Sequence, residues 1–308
     1  MSNKMRVRVL LGAMMFFQYA AWGAWAPVLG ATLGNPDGVF KASGTVIGAI
    51  FGVLWLACIV VPFVGGQLVD RKVPGQLYMG VSGLVCAGSA WMMAGQDKVG
   101  DLVAGLIPVS GLGLWLVLWS IAFAPTIGIG NSLTLYHLSK EEGSTEAERE
   151  RAFSVIRTMG TIGWVAVAFA VMWAKENLKS FPVSEMAIST GAGVLWAISS
   201  FLVPHTPPNK EAPDPWAFLK AFELFKKVPG FTAFILISLV ASAEFQFFYT
   251  LSGQFLGSLG VEEKYIAPYK STSQIAEIIS LAVLLPIFLR KFGMRTTLVV
   301  GTLAWAIR

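Results

Sequence analysis

Three charged side chains stand within long apolar stretches of this sequence: Arg157, Glu244 and Glu277. A charge at the centre of a bilayer costs at least about 2.5–3.5 kcal/mol on insertion scales, so a charge kept in an apolar helix marks function by default. An arginine presents a planar fork of donors to a polar ligand, and a carboxylate can accept and release a proton. The predicted chemistry is recognition of a small polar ligand together with proton transfer. A fourth charge, Lys270, stands near the predicted outer end of its helix, from which its side chain can snorkel to the interface.

Polar and aromatic residues accompany these charges at helical spacing, which places them on shared helix faces. The sets are Arg157 with Thr161 and Trp164, Gln246 with Tyr249, Gln274 with Glu277, and Gln18 with Trp22 and Trp25. Each set has an alternative, structural interpretation. A tryptophan stripe is also typical of packing or interface anchoring, and a buried amide can join two helices. Arg157 can likewise pair with an acid on a later helix.

The composition excludes a soluble protein. Of the 308 residues 55% are hydrophobic and 13% are charged, against about 25% charged in soluble domains. The charges occur in short clusters between apolar stretches of roughly 20 to 28 residues, and about 20 such residues cross a bilayer as a helix. Cys58 and Cys86 lie inside apolar stretches and indicate neither a disulfide nor a metal site. The net charge of +5 is explained by basic cytoplasmic loops rather than by nucleic-acid binding.

Eight apolar stretches are long enough for helices, and a ninth begins near residue 296 and is still running at Arg308. The predicted helices span 9–34, 44–69, 75–95, 108–138, 152–174, 184–203, 231–256 and 266–289. Repeated spans predict an all-α, polytopic membrane protein, because every backbone amide in lipid must be satisfied within its own segment. The uncharged stretch 102–139 is ambiguous, since it is too long for one simple helix and too short for two.

Basic residues collect in short cytoplasmic loops, and this rule resolves the ambiguity. If 102–139 holds one helix and the N-terminus is inside, fifteen basic residues are cytoplasmic: Lys4, Arg6, Arg8, Arg71, Lys72, Lys140, Arg149, Arg151, Lys210, Lys220, Lys226, Lys227, Arg290, Lys291 and Arg295. Five are then outside: Lys41, Lys98, Lys175, Lys179 and Lys264. Two helices would place the majority outside. One helix is therefore predicted, with 102–108 as an external connection and Pro125 as a bend.

The segment 205–230 differs in composition from the other loops. It opens with four prolines and ends in an amphipathic pattern, with Trp216, Leu219, Phe222 and Phe225 on one face. This composition predicts a cytoplasmic linker followed by a helix on the membrane surface. The predicted domains are a six-helix half (1–204), the linker (205–230) and an incomplete second half (231–308) with helices seven, eight and part of nine. The chain is accordingly expected to be truncated at its C-terminal end.

The sequence GGQLVDRK (65–72) closes the second predicted helix at the cytoplasmic face. Gly66 is expected to let a neighbouring helix approach, while Asp70 caps a helix or pairs with an arginine across the loop, next to Arg71. The sequence resembles the G-x-x-x-D-R conformational motif of the major facilitator superfamily. The alternative interpretation is an ordinary charged loop.

Further segments resemble the nucleoside:proton symporter branch of that superfamily, in family order along nearly the whole chain. They are FQYAAWGAWAPVLG (17–30), APTIGIGNSLTLYHL (124–138), IRTMGTIGW (156–164), AEFQ (243–246), GQFL (253–256), SQIAEI (273–278) and GTLAWAIR (301–308).

This resemblance implies a major-facilitator-type helical bundle that takes up nucleosides with protons by alternating access. The positions that match cavity-lining residues of the family are Arg157, Thr161, Trp164, Gln246, Tyr249, Gln274 and Glu277. The candidates for the coupling proton are Glu277 and Glu244. The family usually has a phenylalanine where Trp164 stands and a smaller amide where Tyr249 stands, and both departures narrow the cavity.

The predicted partners are a nucleoside, protons and the lipid bilayer, with no cofactor, no metal and no nucleic acid. The expected location is the cytoplasmic (inner) membrane, with a cytoplasmic N-terminus and a monomeric state. A carrier for a sugar or another small polar solute is the alternative among transporters. A membrane-embedded enzyme or a scaffold is the alternative of another class. Against an enzyme, the sequence has no metal-spaced cluster and no nucleophile motif.

Overall fold

The structure is a computed structural model that describes residues 3–177, 184–208 and 222–307. As the composition predicts, these residues are mostly helical. The helices are α1 (Asn3–Gly23), α2 (Leu29–Gly34), α3 (Gly44–Arg71), α4 (Gly75–Ala94), α5 (Gly111–Phe123), α6 (Thr126–Ser139), α7 (Glu146–Asn177), α8 (Ser184–Leu202), α9 (Leu224–Lys227), α10 (Phe231–Ser258), α11 (Glu263–Ile279) and α12 (Leu285–Ile307). A π-helical segment, Ser280–Leu284, joins α11 to α12.

Within the described ranges, six helical stretches are long and apolar enough to cross a membrane. They are Gly44–Arg71, Gly75–Ala94, Gly111–Ser139, Glu146–Asn177, Glu185–Leu202 and Phe231–Ser258. The predicted first span, 9–34, is divided by turns. The predicted eighth span, 266–289, is divided by the π-helical segment.

The predicted first span, 9–34, is interrupted between Gly23 and Leu29. Pro27 lies in the interruption, and because proline has no amide hydrogen and crowds the preceding turn, a regular helix cannot pass through it. The turns stay close to helical, since the Leu29 amide still donates to the Trp25 carbonyl at 2.8 Å. The chain therefore bends rather than reverses, and Trp25 is buried in the bundle.

The ambiguous stretch 102–139 contains one interrupted helix, as predicted. A short antiparallel hairpin precedes this helix, and in it β1 (Leu102–Val103) pairs with β2 (Ile107–Pro108). The helix that follows is divided into α5 and α6 at Ala124 and Pro125. Both residues keep right-handed helical backbone angles, so the chain continues in one direction across the membrane.

Small residues allow the helices of the first part of the chain to pack closely, as is common in membranes. A Cβ at Gly163 on α7 would lie 2.1 Å from the carbonyl oxygen of Phe16 on α1. Where α4 crosses α8, a Cβ at Gly83 would lie 2.9 Å from the backbone nitrogen of Ala197. These contacts bring α1 against α7 and α4 against α8.

The helices α10 to α12 follow the segment 205–230. The π-helical segment precedes Pro286, which has no amide hydrogen to complete an ordinary α-turn. Inside α12 the backbone turns at Gly293, whose φ of 75° suits a residue without a Cβ. This turn coincides with the predicted boundary between the eighth and ninth helices.

The second part of the chain contacts the first mainly through α11 on α7 and α10 on α2. Ile266 and Ala267 of α11 are buried together with Val28 and with Ala168 of α7. In the preceding segment, Trp216 and Leu219 lie outside the described residues. Of the predicted amphipathic helix, only its end is described, as the single turn α9.

Candidate substrate and proton site

An aromatic cluster surrounds Trp22 in the middle of the bundle. Its ring meets that of Trp164 edge-on, with centroids 5.0 Å apart and an interplanar angle of 88°. It also lies 5.4 Å from the Phe123 ring and 6.3 Å from the Trp55 ring. Edge-to-face pairs at these distances are favourable beyond the area that they bury. The helix break near Pro27 and the α1–α7 contact at Gly163 together position this cluster.

A narrow cavity of about 30 Å³ opens beside this cluster. Its lining is aromatic and aliphatic apart from one amide: Trp22, Trp25, Ala26, Ile50, Phe51, Leu54, Trp55, Trp164 and Gln246. Four indole rings and one amide suit a flat heteroaromatic group, because rings can stack on its faces while the amide bonds to its edge. Of the residues predicted from the sequence, Trp164 and Gln246 meet here although they lie on different parts of the chain.

Arg157 lies two turns before Trp164 on α7 and is half-buried. Its guanidinium carbon is 4.5 Å from the centroid of the Tyr19 ring on α1, which is a cation–π contact. The alternative interpretation of Arg157 was an ion pair with an acid on a later helix. The contact observed is instead with an aromatic ring on α1, and it directs the guanidinium along the same α1 face that carries Trp22.

Two further polar residues lie near this face. Thr161 is half-buried on α7, between Arg157 and Trp164. Gln18 is fully buried, and its amide nitrogen donates to the Thr126 hydroxyl of α6 at 2.9 Å. This bond joins two helices, which favours the structural interpretation of Gln18.

A second, wider cavity of about 1140 Å³ lies between α3 and helices α10 to α12. Glu244, Gln246 and Glu277 line it together with Trp55 and Cys58 of α3. Glu244 and Glu277 are both exposed residues. Trp55 and Gln246 line this cavity and also the aromatic one, so the two spaces adjoin.

The remaining predicted residues lie on α10 and α11. Gln274 is half-buried, one turn before Glu277. The side chain of Tyr249 lies outside the described part of the structure, so its predicted role stays a prediction.

Lys270 does not reach the interface. Its side chain is buried, with 7% of its surface exposed, and its ammonium lies 6.0 Å from the Phe248 ring centroid of α10. The prediction that it snorkels is wrong, because α11 turns this face towards the protein rather than towards lipid or water.

The motif at the end of α3 is built differently from the prediction. Apart from its own stretch of helix, no described atom lies within 4 Å of the position that a Cβ of Gly66 would take, whereas one at Gly65 would lie 2.5 Å from Pro125, which precedes α6. The close helix approach predicted at Gly66 is therefore made one residue earlier. Asp70 is exposed, and the N-cap of α4 is Pro74 without a side-chain hydrogen bond, so Asp70 does not cap that helix. Arg71 is half-buried in the last turn of α3.

Sequence reasoning missed an ionic cluster at the predicted outer end of the bundle. We call it the outer ionic cluster, and its members are Thr32, Lys175, Glu185 and Glu263. The Lys175 ammonium lies 2.8 Å from a Glu185 carboxylate oxygen and 2.7 Å from one of Glu263. The acids were overlooked because each lies within two residues of the start of a helix, where an acid is usually solvated.

The described residues hold no group of three or more His, Cys, Asp or Glu side chains that could bind a metal ion. The groups that line the two cavities include aromatic rings, one amide and two carboxylates, and the Arg157 guanidinium lies over Tyr19 outside both linings. Such a set can bind a flat polar solute and exchange protons.

The helical fold is similar to that of solved transporters. A crystal structure of the nucleoside transporter NupG superimposes with a TM-score of 0.72 at 24% identity, covering 95% of this chain and 69% of that chain. A POT family peptide transporter gives a TM-score of 0.54 at 14% identity, covering 89% of this chain and 51% of that one. The predicted all-α bundle of this type is confirmed.

The chain belongs to the nucleoside H+ symporter family, whose pattern matches residues 2–308. Xanthosine permease of Escherichia coli (strain K12) is 27% identical over 320 residues, covering 100% of this chain and 70% of the permease. Nucleoside permease NupG of the same organism is 24% identical over 322 residues, covering 99% of this chain and 70% of the permease. The prediction of a nucleoside:proton symporter, and not of an enzyme, is confirmed.

Proposed function

We propose that this protein takes up nucleosides together with protons, and that the two adjoining cavities divide the substrate between them. Family membership over residues 2–308 supports the transported class and the coupling ion. Trp55 and Gln246 line both cavities, and this observation supports a substrate that extends from one cavity into the other. The base would lie against the rings that line the narrow aromatic cavity, and the ribose would lie in the wider cavity lined by Glu244 and Glu277.

The base would lie among Trp22, Trp55 and Trp164. A nucleobase that stacks on an aromatic side chain gains about 1–3 kcal/mol in other base-binding sites. The Gln246 amide offers one donor group and one acceptor to the base edge, which suits a ring carrying both. Tryptophans narrow this cavity, so it favours a flat ring over the puckered ring of a sugar.

The ribose would lie towards Glu277, Gln274 and Glu244, where hydroxyl groups can donate to carboxylate oxygens. Proton coupling would then follow from contact. Protonation of Glu277 would replace a hydrogen-bond acceptor with a donor beside the substrate. The substrate would then interact differently with the protonated and the unprotonated protein, and only such a difference lets a ligand shift a conformational equilibrium. Arg157 and Thr161 would complete the site from α7, with Tyr249 on α10.

The placement in the membrane is part of the proposal. The excess of basic residues in the cytoplasmic loops supports a cytoplasmic N-terminus and a cytoplasmic 205–230 linker between two halves. We propose the cytoplasmic (inner) membrane as the location and the monomer as the functional unit.

Cysteines placed at Lys98 and Glu146 test the orientation by their labelling with a thiol reagent that cannot cross the membrane. Labelling of the first from outside, and not of the second, is expected; the reverse would contradict it.

Competition tests the substrate class. Uptake of a radiolabelled nucleoside into vesicles with an inward proton gradient is measured while unlabelled purine nucleosides, pyrimidine nucleosides or hexoses are added in excess. Nucleosides should compete, and collapse of the gradient should abolish accumulation. Competition by hexoses but not by nucleosides would establish the alternative, a sugar carrier.

A further inference from the structure

The outer ionic cluster divides unequally between the two parts of the chain. Thr32 on α2, Lys175 at the end of α7 and Glu185 at the start of α8 belong to the first part. Glu263, at the start of α11, is the member of the cluster that belongs to the second part. A movement that separates the two parts at this end of the bundle must therefore remove Glu263 and leave the other three together.

The three members from the first part form a complete set by themselves. The Lys175 ammonium lies 2.8 Å from one Glu185 carboxylate oxygen, so their charges cancel, and the Thr32 hydroxyl oxygen lies 3.0 Å from the other. Lys175 also donates to the Glu263 oxygen that faces Thr32. The single hydroxyl proton of Thr32 can therefore serve Glu185. Glu185 thus has a partner for each of its oxygens whether Glu263 is present or not.

Glu263 is held less tightly than Glu185. Its side chain is 34% exposed, whereas Glu185 is fully buried. Although burial alone would raise the pKa of the Glu263 carboxyl, the charge of Lys175 and its hydrogen bond at 2.7 Å lower that pKa below the ordinary value of 4.5. Glu263 is therefore a carboxylate within the closed cluster, and it can leave for water without a change of protonation.

The presence of Glu185 decides what the departure of Glu263 costs. A charge that loses its partner in a poorly hydrated place destabilises a protein by more than the pair contributed. The Lys175 side chain is 14% exposed, so without Glu185 its ammonium would be left in such a place when Glu263 departs. With Glu185 beside it, the ammonium keeps a carboxylate partner in both states.

A second group of charges spans the same gap but is more exposed. The Lys264 ammonium on α11 lies 3.1 Å from a Glu262 oxygen and 3.8 Å from a Glu176 oxygen of α7. Glu176 and Glu262 are both exposed, so water screens these pairs and their contribution to closure is small. Glu262 is therefore a matched control for Glu263, since it is an acid next to the cluster and has its own, screened partner.

We propose that Glu185 is a positioning residue of the transport cycle, which holds Lys175 when Glu263 departs and so lets the outer end open without leaving a buried ammonium unpaired. The two acids of one cluster then have opposite effects. Loss of Glu263 removes an attraction from the closed state alone and favours opening. Loss of Glu185 leaves Glu263 as the carboxylate partner of Lys175, so closure persists and opening becomes costly. The inference rests on the proposed transport function, since alternating access requires this end to open, but not on where the nucleoside binds.

The reactivity of a cysteine at Val28 measures opening at this end. Val28 is fully buried and packs with Ile266, one turn after Glu263 on α11, so a cysteine there is reached only when the two parts separate. The protein is purified in lipid nanodiscs in a background with Cys58→Ala and Cys86→Ala. It is labelled, without any substrate, with an uncharged hydrophilic maleimide. A cysteine at Lys98, which is exposed, should label at one rate in every variant.

Glu263→Gln should raise the rate of labelling at position 28 by about fivefold, the most that a partly exposed ion pair usually contributes. Glu185→Gln should lower this rate by at least a similar factor, because opening would leave Lys175 without a carboxylate. Glu262→Gln should label at the parent rate. Changes in the same direction for Glu185→Gln and Glu263→Gln, or no change in either folded variant, would overturn the proposal.

If Glu185→Gln does not fold, Glu185→Asp keeps the charge but draws the carboxylate back from Lys175, so it should also slow the labelling. A rate at or above that of the parent would then overturn the proposal. The same holds if position 28 labels in no variant, because this end would then not open. Since no nucleoside is present, the result is distinct from that of the uptake assay. Opposite shifts in a protein that transports only hexoses would keep the role of Glu185 and exclude the proposed substrate.

Discussion

The guanidinium of Arg157 on α7 lies over the ring of Tyr19 on α1, with 4.5 Å between its central carbon and the ring centroid. A planar cation held against a ring keeps a fixed orientation and still has donors for a ligand, which a flexible ammonium cannot reproduce. Arg157→Lys should therefore insert normally in the membrane while its affinity for nucleosides falls by about tenfold or more, as after loss of one charge-assisted hydrogen bond. Binding is measured by calorimetry on purified protein. Wild-type affinity, or loss of folding alone, would mean that Arg157 is structural.

Trp55 is expected to determine how tightly the base is held, because it borders both cavities. Trp55→Leu keeps an apolar side chain but removes the aromatic face, so the Kd for nucleosides should rise by about 5-fold to 150-fold, which corresponds to about 1–3 kcal/mol of stacking. Trp91→Leu is the matched control, since Trp91 is 61% exposed on α4. Equal losses in the two variants would contradict a specific role for Trp55.

Glu277 and Glu244 line one cavity, so their roles must be separated by function. We expect Glu277→Gln to abolish proton-driven accumulation in reconstituted vesicles while nucleoside exchange persists with little pH dependence, because an amide cannot carry a proton. Glu244→Gln should retain accumulation. The opposite result would assign the coupling proton to Glu244, and accumulation with the wild-type pH profile in both variants would exclude both residues.

The α1–α7 crossing at Gly163 should be intolerant of even a methyl group. A Cβ there would lie 2.1 Å from a backbone oxygen of Phe16, and a backbone atom cannot rotate away. Gly163→Ala should destabilise the protein by about 1–3 kcal/mol, as overpacking does. The measurement is the temperature of half-unfolding in detergent. Gly191→Ala on α8, where an added Cβ would meet nothing within 4 Å, should be neutral or slightly stabilising.

Glu141 and Arg8 form a two-bonded ion pair at the predicted cytoplasmic end. The Arg8 Nε donates to Glu141 Oε1 at 2.9 Å and the terminal nitrogen donates to Oε2 at 2.5 Å. These hydrogen bonds hold the pKa of the Glu141 carboxyl below its ordinary value of 4.5. Its stabilisation is therefore complete above about pH 4.5 and declines as the pH falls through the lowered pKa.

Glu141→Gln should accordingly lower stability near neutral pH by about 1 kcal/mol, the upper end for partly exposed pairs. The difference from the wild type should shrink as the pH falls below 4.5. Glu142→Gln, which changes an exposed neighbour, should show no such difference. A difference for Glu141→Gln that is independent of pH would show that the hydrogen bonds to the ionised form are not responsible.

Local patterns along the chain were enough to predict the class of protein, the family and most of the helices. Apolar length and the placement of lysine and arginine resolved 102–139 as one helix, and the structure confirms it. Charged and polar residues within apolar stretches also predicted a site that includes Glu244, Gln246 and Glu277, and these three line one cavity. Periodicity along a chain places residues on one face, but it does not say which face of another helix they meet.

Those contacts follow from tertiary packing, since they depend on how each helix is rotated and tilted against its neighbours. Rotation of α11 buries Lys270, which the sequence placed at the interface. The partner of Arg157 is a ring on α1 rather than a distant acid, and the close approach predicted at Gly66 occurs at Gly65. The outer ionic cluster joins Lys175 to Glu263 across 88 residues of sequence. No local pattern encodes such a distance, because it is set by the packing of α7 against α11.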